Sequence, residues 1–280
     1  MANTKIKNEF QKYWHPEKFK KLPDWHERTI GIYHISTIGC SHQDIDWDEH
    51  SGPCLRETFF EYTDIIPDSD STEGNYEQGK DIHKGLQKII KAWKPNTIIE
   101  YPLAQLFEKD GMKILLVGSI DILYKHLYNL LKDTSTSIKK ISIWDIKSTS
   151  EYTIPKGRYD KNPTHFDQVD LYGIFILLFE FDQDKYEIKR VKIIYVDKHN
   201  KGTYIQRKKF NMNRSMNKLG DCVARAFYLH SCLLKNEVPV PEPHKWCKYC
   251  KYLVRCQECG GVEPIMKGAK NPKLVGLKIL

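Results

Sequence analysis

ILLVGSIDILY (residues 114–124) and ISIWDIK (residues 141–147) are the two stretches whose reading decides the fold. Both are rich in Ile, Leu and Val and are joined by a polar connection, which predicts an antiparallel pair of strands. Each carries charge inside an apolar run: Asp121 in the first, Asp145 and Lys147 in the second. Side chains i and i+2 share one face of a strand, so Asp145 and Lys147 project together. If the strands pair, Asp121 comes alongside them at one end of the sheet. Charges embedded in apolar strands are costly unless paired or bound to a metal. A buried structural Asp–Lys salt bridge is one solution. A hard-metal site is another, because two carboxylates bind Mg2+ or Mn2+ with room left for water and phosphate oxygens.

Outward from this pair, residues 78–93 place Ile82, Leu86, Ile89 and Trp93 at helical spacing, an amphipathic helix ended by Pro95. His83 lies at the edge of its apolar face. Residues 97–101 read as a further strand, 165–181 as a helix, 187–196 as a strand and 212–235 as a long helix. Gln168 and Tyr172, four apart, share a helix face. Residues 1–30 read as a polar helix and loop, 31–40 as strand-like, and 55–62 as helical. The order helix, three strands, helix, strand, helix predicts a mixed α/β core. Three parts are expected: residues 1–62, a core over 63–236, and a cysteine segment with a basic tail over 237–280.

The chain has 280 residues and a formal charge of +8, a surplus that favours a polyanionic partner. Seven Lys and Arg from Lys198 to Lys218 stand with no acidic residue among them; a solvated face and a phosphate-binding stripe both remain open. No apolar run reaches the roughly 18–20 residues of a membrane span, and residues 1–14 are polar. The expectation is a cytoplasmic protein without a membrane partner, in the host cytoplasm if viral. No P-loop is present.

Of eight cysteines, Cys247, Cys250 and Cys256 form C-x2-C-x5-C. A tetrahedral thiolate site needs a fourth ligand. Cys259 is near in sequence and would complete a zinc knuckle; Cys40 and Cys54 are distant alternatives.

The order His83, Glu100, Gly118-Ser119-Ile120-Asp121, Asp145-Ile146-Lys147 and Gln168-x3-Tyr172 resembles the RecB-like branch of the PD-(D/E)xK nucleases. That resemblance implies a restriction-endonuclease-like mixed sheet flanked by helices. It also implies DNA cleavage with a divalent metal, held by His83, Asp121, Asp145 and the carbonyl of Ile146, with Glu100 beside them. Lys147 would be the catalytic lysine, and Gln168 and Tyr172 would contact DNA. Cys54-Leu55-Arg56 followed by Thr58-Phe59-Phe60 is similar to the first cysteine element of iron–sulfur RecB-type exonucleases, including CRISPR-associated ones. In them one N-terminal cysteine joins three C-terminal ones around a [4Fe–4S] cluster, here Cys54 with Cys247, Cys250 and Cys256. Cys40 competes with Cys54, because about a dozen residues separate Gly39 from Cys54. The implied function is a metal-dependent exonuclease on single-stranded DNA ends, within a DNA-processing complex. A non-catalytic DNA-binding or assembly subunit, and a zinc-ribbon nucleic-acid binder, are the competing expectations.

Overall fold

A computed structural model of the chain describes residues 30–39, 54–63, 65–67, 73–126, 138–149, 163–181, 184–199, 202–242, 247 and 250–260. The N-terminal polar segment, Cys40, Lys201 and the basic tail lie outside the described residues.

The strands are β1 (Ile32–His34), β2 (Thr97–Lys109), β3 (Met112–Lys125), β4 (Lys139–Thr149), β5 (Tyr186–Asp197) and β6 (Thr203–Lys208). They form one mixed sheet in the order β1-β3-β4-β5-β6, with β2 also paired to β3. The helices are α1 (Ile35–Ile38), α2 (Leu55–Tyr62), α3 (Glu73–Trp93), α4 (Pro163–Phe175), α5 (Met212–Lys235) and α6 (Leu253–Glu258). A π-helical turn, Ile176–Glu180, extends α4.

The long β2–β3 hairpin turns at Asp110-Gly111, both with positive φ (51° and 78°). Asp-Gly is a strong tight-hairpin signal, because both turn positions need the left-handed region. Parallel β4 and β5 require a crossover, which α4 supplies. As expected, β3 and β4 are antiparallel, but only Ile122–Lys125 pair with Ile141–Trp144. Residues 31–40 are not one strand. After β1 the chain turns into α1, which buries Ile35 and Ile38 one helical turn apart, while Thr37 Oγ1 bonds the His34 carbonyl.

Two cores result. α1, α2, α4 and α5 pack on one face around Leu116, Ile143, Leu171, Phe175 and Ile193. α3 covers part of the other face, where Ile82, Leu86 and Ile90 meet Ile122, Trp144, Ile146 and Ile194. Burying each large apolar side chain stabilises by about 1.5–3 kcal/mol. The packed stripe of α3 is therefore 82, 86 and 90. Ile89 and Trp93, assigned to that stripe from spacing, are 65% and 74% exposed, because they sit about one helical step around the axis from it.

Candidate functional site

Along one edge of β3, β1 pairs with Leu115–Val117 and β4 begins pairing at Ile122. Residues 118–121 between them have neither neighbour. This gap is where the predicted residues gather. Asp121 faces Asp145 one step beyond the last paired residues, and the Ile146 amide donates to Asp121 Oδ2 at 2.6 Å. That bond spans the point where the strands separate. From α3, His83 Nδ1 stands 3.7 Å from Asp121 Oδ2. Lys147 Nζ lies 3.1 Å from Asp145 Oδ2 and donates to Gln168 Oε1 at 2.9 Å. Gln168 Nε2 in turn donates to the Tyr172 hydroxyl at 2.7 Å. The Tyr172 ring needs Gly118 beneath it, since a Cβ there would stand 3.0 Å from the ring.

Glu100 closes the site from β2. It has φ 50° and interrupts the β2–β3 ladder opposite Asp121. A non-glycine residue in this region is uncommon and is held by its surroundings. Here the holders are Ser119 Oγ, donating to Glu100 Oε2 at 2.8 Å, and Gln87 Nε2, donating to Oε1. Gln87 is buried and also lies 3.5 Å from the Asp121 carbonyl oxygen. Sequence reasoning missed Gln87. Its position one helical turn after His83, on the same α3 face, is the signal that points to it.

Burial, and then the neighbouring Asp145 carboxylate, push the Asp121 carboxyl well above the usual carboxylate range. Lys147 and the Ile146 amide oppose that shift. Burial holds the His83 imidazole below its ordinary value, so the ring is neutral and able to act as a ligand. Asp145 Oδ2 is buried and, among the described residues, has no hydrogen-bond donor aimed at it, although Lys147 is close enough for an ion pair. The buried Asp145 carboxylate with this under-satisfied oxygen, the half-buried Asp121 carboxylate and a neutral imidazole are oxygen and nitrogen donors that fit a divalent cation in kind. Among the described residues, however, no three His, Cys, Asp or Glu side chains are drawn together as a ready metal-holding group.

A second group of candidate ligands lies at the N-terminus of α2. Cys54 caps that helix, its Sγ accepting from the Glu57 amide at 3.4 Å. Arg56 is buried and ties α2 to the C-terminal segment. Its Nε donates to the Pro239 carbonyl at 2.9 Å, and its Nη1 reaches the Cys256 carbonyl at 3.1 Å and Cys256 Sγ at 3.5 Å. Glu242 accepts from the Leu55 amide at 2.6 Å and pairs with Arg225 of α5. Cys54 is an electrostatic neighbour of Cys250, which in turn senses Cys247 and Cys256. Cys54, Cys247, Cys250 and Cys256 are thus neighbours in one part of the fold, where Cys250, Cys256 and Cys259 pack against the main core. Among the described residues they are not drawn together as a ready metal-holding group. Burial pushes the Cys250 thiol up to about 12, raises Cys54 well above its usual value, and raises the Glu57 carboxyl to about 7. Buried thiols without a strong positive charge stay protonated. A metal or cluster would reverse that balance, and four cysteines match what a [4Fe–4S] cluster needs in donor type.

The basic run behaves differently from its sequence reading. Lys208 and Arg214 pair with buried Asp170, and Lys218 pairs with Asp167 at 3.3 Å, all against α4. Three of the seven cations are thus spent on carboxylates that lie outside the run in sequence. Among the described residues, no helix is long and apolar enough to cross a membrane.

No protein-family model matches the chain, and no curated protein matches it. Among solved structures, one titled "Crystal structure of SSO0001" is similar at 15% identity. It covers 90% of this chain and 96% of its own, with a TM-score of 0.45.

Proposed function

We propose that the chain is a metal-dependent deoxyribonuclease of the RecB-like type, an exonuclease acting on single-stranded DNA ends and stapled by a [4Fe–4S] cluster. The observation that carries the reading is the meeting of Asp121, Asp145, Lys147 and His83 where β3 and β4 part. A purely structural Asp–Lys pair does not require a second, half-buried carboxylate, an imidazole and a strained glutamate beside it. Asp121, Asp145, His83 and the Ile146 carbonyl would hold Mg2+ or Mn2+, with Glu100 adjacent. Such an ion, when bound, supplies Lewis-acid charge neutralisation and a more acidic water. Lys147, steadied between Asp145 and Gln168, orients the attacking water and takes part in its proton transfer. Gln168 and Tyr172 present a hydroxyl and an amide to the phosphate or base beside it.

In the cysteine pocket, Cys54, Cys247, Cys250 and Cys256 would ligate the cluster, which joins α2 to the C-terminal segment. Its role in this reading is to hold the two ends of the chain together. The test is cleavage of end-labelled single-stranded and duplex DNA with Mg2+ or Mn2+ by the intact protein and by Asp145→Asn. Metal-dependent shortening from the ends, lost in the variant, is the expected result. No activity in either protein overturns the proposal in favour of a non-catalytic DNA-binding subunit, and equal activity in both overturns the assignment of the chemistry to the Asp145 site.

A further inference from the structure

The part of the Trp144 face that α3 leaves uncovered carries a charge pattern which the candidate site does not use. In the β4–β5–β6 register, Trp144, Lys192 and Arg207 stand side by side, and Arg190 follows in the next row beside Ser142. Lys192 Nζ sits 3.9 Å from the centre of the Trp144 ring. At the end of α3, Lys94 Nζ lies 4.4 Å from the Trp93 ring and 5.1 Å from that of Tyr124. Trp93 is 74% exposed, a cost to the folded chain that packing does not explain.

Lys94, Arg190, Lys192 and Arg207 make no ion pair with a carboxylate among the described residues, in contrast to Lys208, Arg214 and Lys218. They press on one another instead. Burial, followed by Arg207, Lys94 and Arg190, lowers Lys192 to about 8. His126, beside them, is depressed by burial and then by Lys189, Lys192, Lys94 and Arg190, with no carboxylate opposing. A cluster of like charges is stabilised by a polyanion that spans it. Exposed rings set among such cations are how proteins hold single-stranded nucleic acid, since every base has a face to stack and every nucleotide a phosphate.

We infer that Trp93, Lys94, Tyr124, Arg190, Lys192 and Arg207 form a second nucleic-acid surface that holds single-stranded DNA on the sheet face opposite Asp145. The surface deepens the nuclease reading but does not depend on cleavage. Trp144 and Asp145 are consecutive on β4 and project to opposite faces, so a strand held here lies outside the candidate active site. It would serve to retain the DNA between cleavage events.

The experiment is binding of a labelled oligothymidine of about sixteen nucleotides to the full chain without added divalent metal, over a series of salt concentrations. The variants are Arg190→Glu with Arg207→Glu, both exposed positions, and Trp93→Ala. The charge-reversal pair is expected to weaken binding about tenfold or more and to flatten the salt dependence by about one to two in log–log slope. An abasic strand of the same length is expected to bind more weakly than oligothymidine to the unaltered protein, and equally to Trp93→Ala. Unchanged affinity and slope in the reversal pair overturns the surface. Equal binding of abasic and thymidine strands to the unaltered protein overturns the single-strand assignment, leaving a generic polyanion patch. Cleavage assays of the same variants read the nuclease proposal separately, because none of the substituted residues belongs to the carboxylate site.

Discussion

The carboxylate site and the cysteine pocket are both groups of potential metal ligands, yet the protein holds them by opposite means. Around Asp121 and Asp145 the chain provides its own polar partners: the Lys147 ammonium at 3.1 Å, the Ile146 amide at 2.6 Å and the neutral His83 ring at 3.7 Å. Around Cys54 and Cys250 it provides burial and further acids, chiefly Glu57, with the Arg56 guanidinium at the margin. The first site is only partly compensated by these groups, since burial and the Asp145 carboxylate still push the Asp121 carboxyl up. The second is stable only with its thiols protonated or with a positive centre among them. Under the proposed roles, the comparison teaches that the carboxylate ligands would have to tolerate a leaving and returning ion, whereas the cysteine ligands would not.

The largest expected effect breaks the pocket. If a cluster joins α2 to the C-terminal segment, Cys250→Ser forfeits folding energy on the order of 10 kcal/mol, which is comparable to a domain's whole margin. Anaerobically purified protein should then be brown with about four irons per chain, and the variant colourless and unfolded at low urea. A variant with unchanged melting would make the cysteines simple core residues, and a colourless protein with zinc would bring Cys259 into the ligand set. Next in size, Lys147→Ala should lower cleavage by about 10²–10⁴-fold with little change in melting or DNA affinity. A large loss of stability instead would turn the carboxylate site into a structural ion pair and erase the contrast.

Arg56→Ala should cost about 3 kcal/mol, because several buried carbonyls lose a charged donor together. It is read from the urea midpoint, and Arg56→Lys should recover little, since an ammonium cannot fork to Pro239 and Cys256 at once. The smallest effect lies outside both sites and controls for general electrostatics. Lys192 has its folded value lowered from 10.5 to about 8. A depressed lysine contributes stability that is present above its unfolded value and lost as pH falls through its folded one. The stability of the unaltered protein relative to Lys192→Gln should therefore rise between pH 8 and 10.5. A flat difference would mean that the cations around Lys192 are dispersed by solvent.

Much of the candidate site was legible because its residues violate local patterns. Asp121 and Asp145 interrupt apolar strands and so stand out without knowledge of their neighbours, whereas Gln168 and Tyr172 gain meaning only as a pair on one helix face and from the family resemblance. Gln87 did not, since a glutamine on a charged helix is ordinary until its partner Glu100 is seen. The hairpin at Asp110-Gly111 carried a readable signal that the short assignment of residues 97–101 passed over. β6 was hidden inside what read as a basic run. Trp93 looked like core because periodicity finds a stripe but not which side of it meets the sheet.

The sequence by itself determined the mixed α/β class, the antiparallel β3–β4 pair, the chemical types in both ligand sets and the helix spanning Met212–Lys235. These follow from periodicity and from charges set against an apolar background, which are properties of neighbours in the chain. Only the tertiary structure decided that β3 and β4 separate just past Ile122 and Trp144, opening the gap between Asp121 and Asp145. It alone brought Cys54 to Cys250, set Lys208, Arg214 and Lys218 against Asp167 and Asp170, and left Lys192 and Arg207 without a carboxylate partner among the described residues. Which charge meets which depends on strand register and helix docking, and those are settled by packing between segments far apart in the chain.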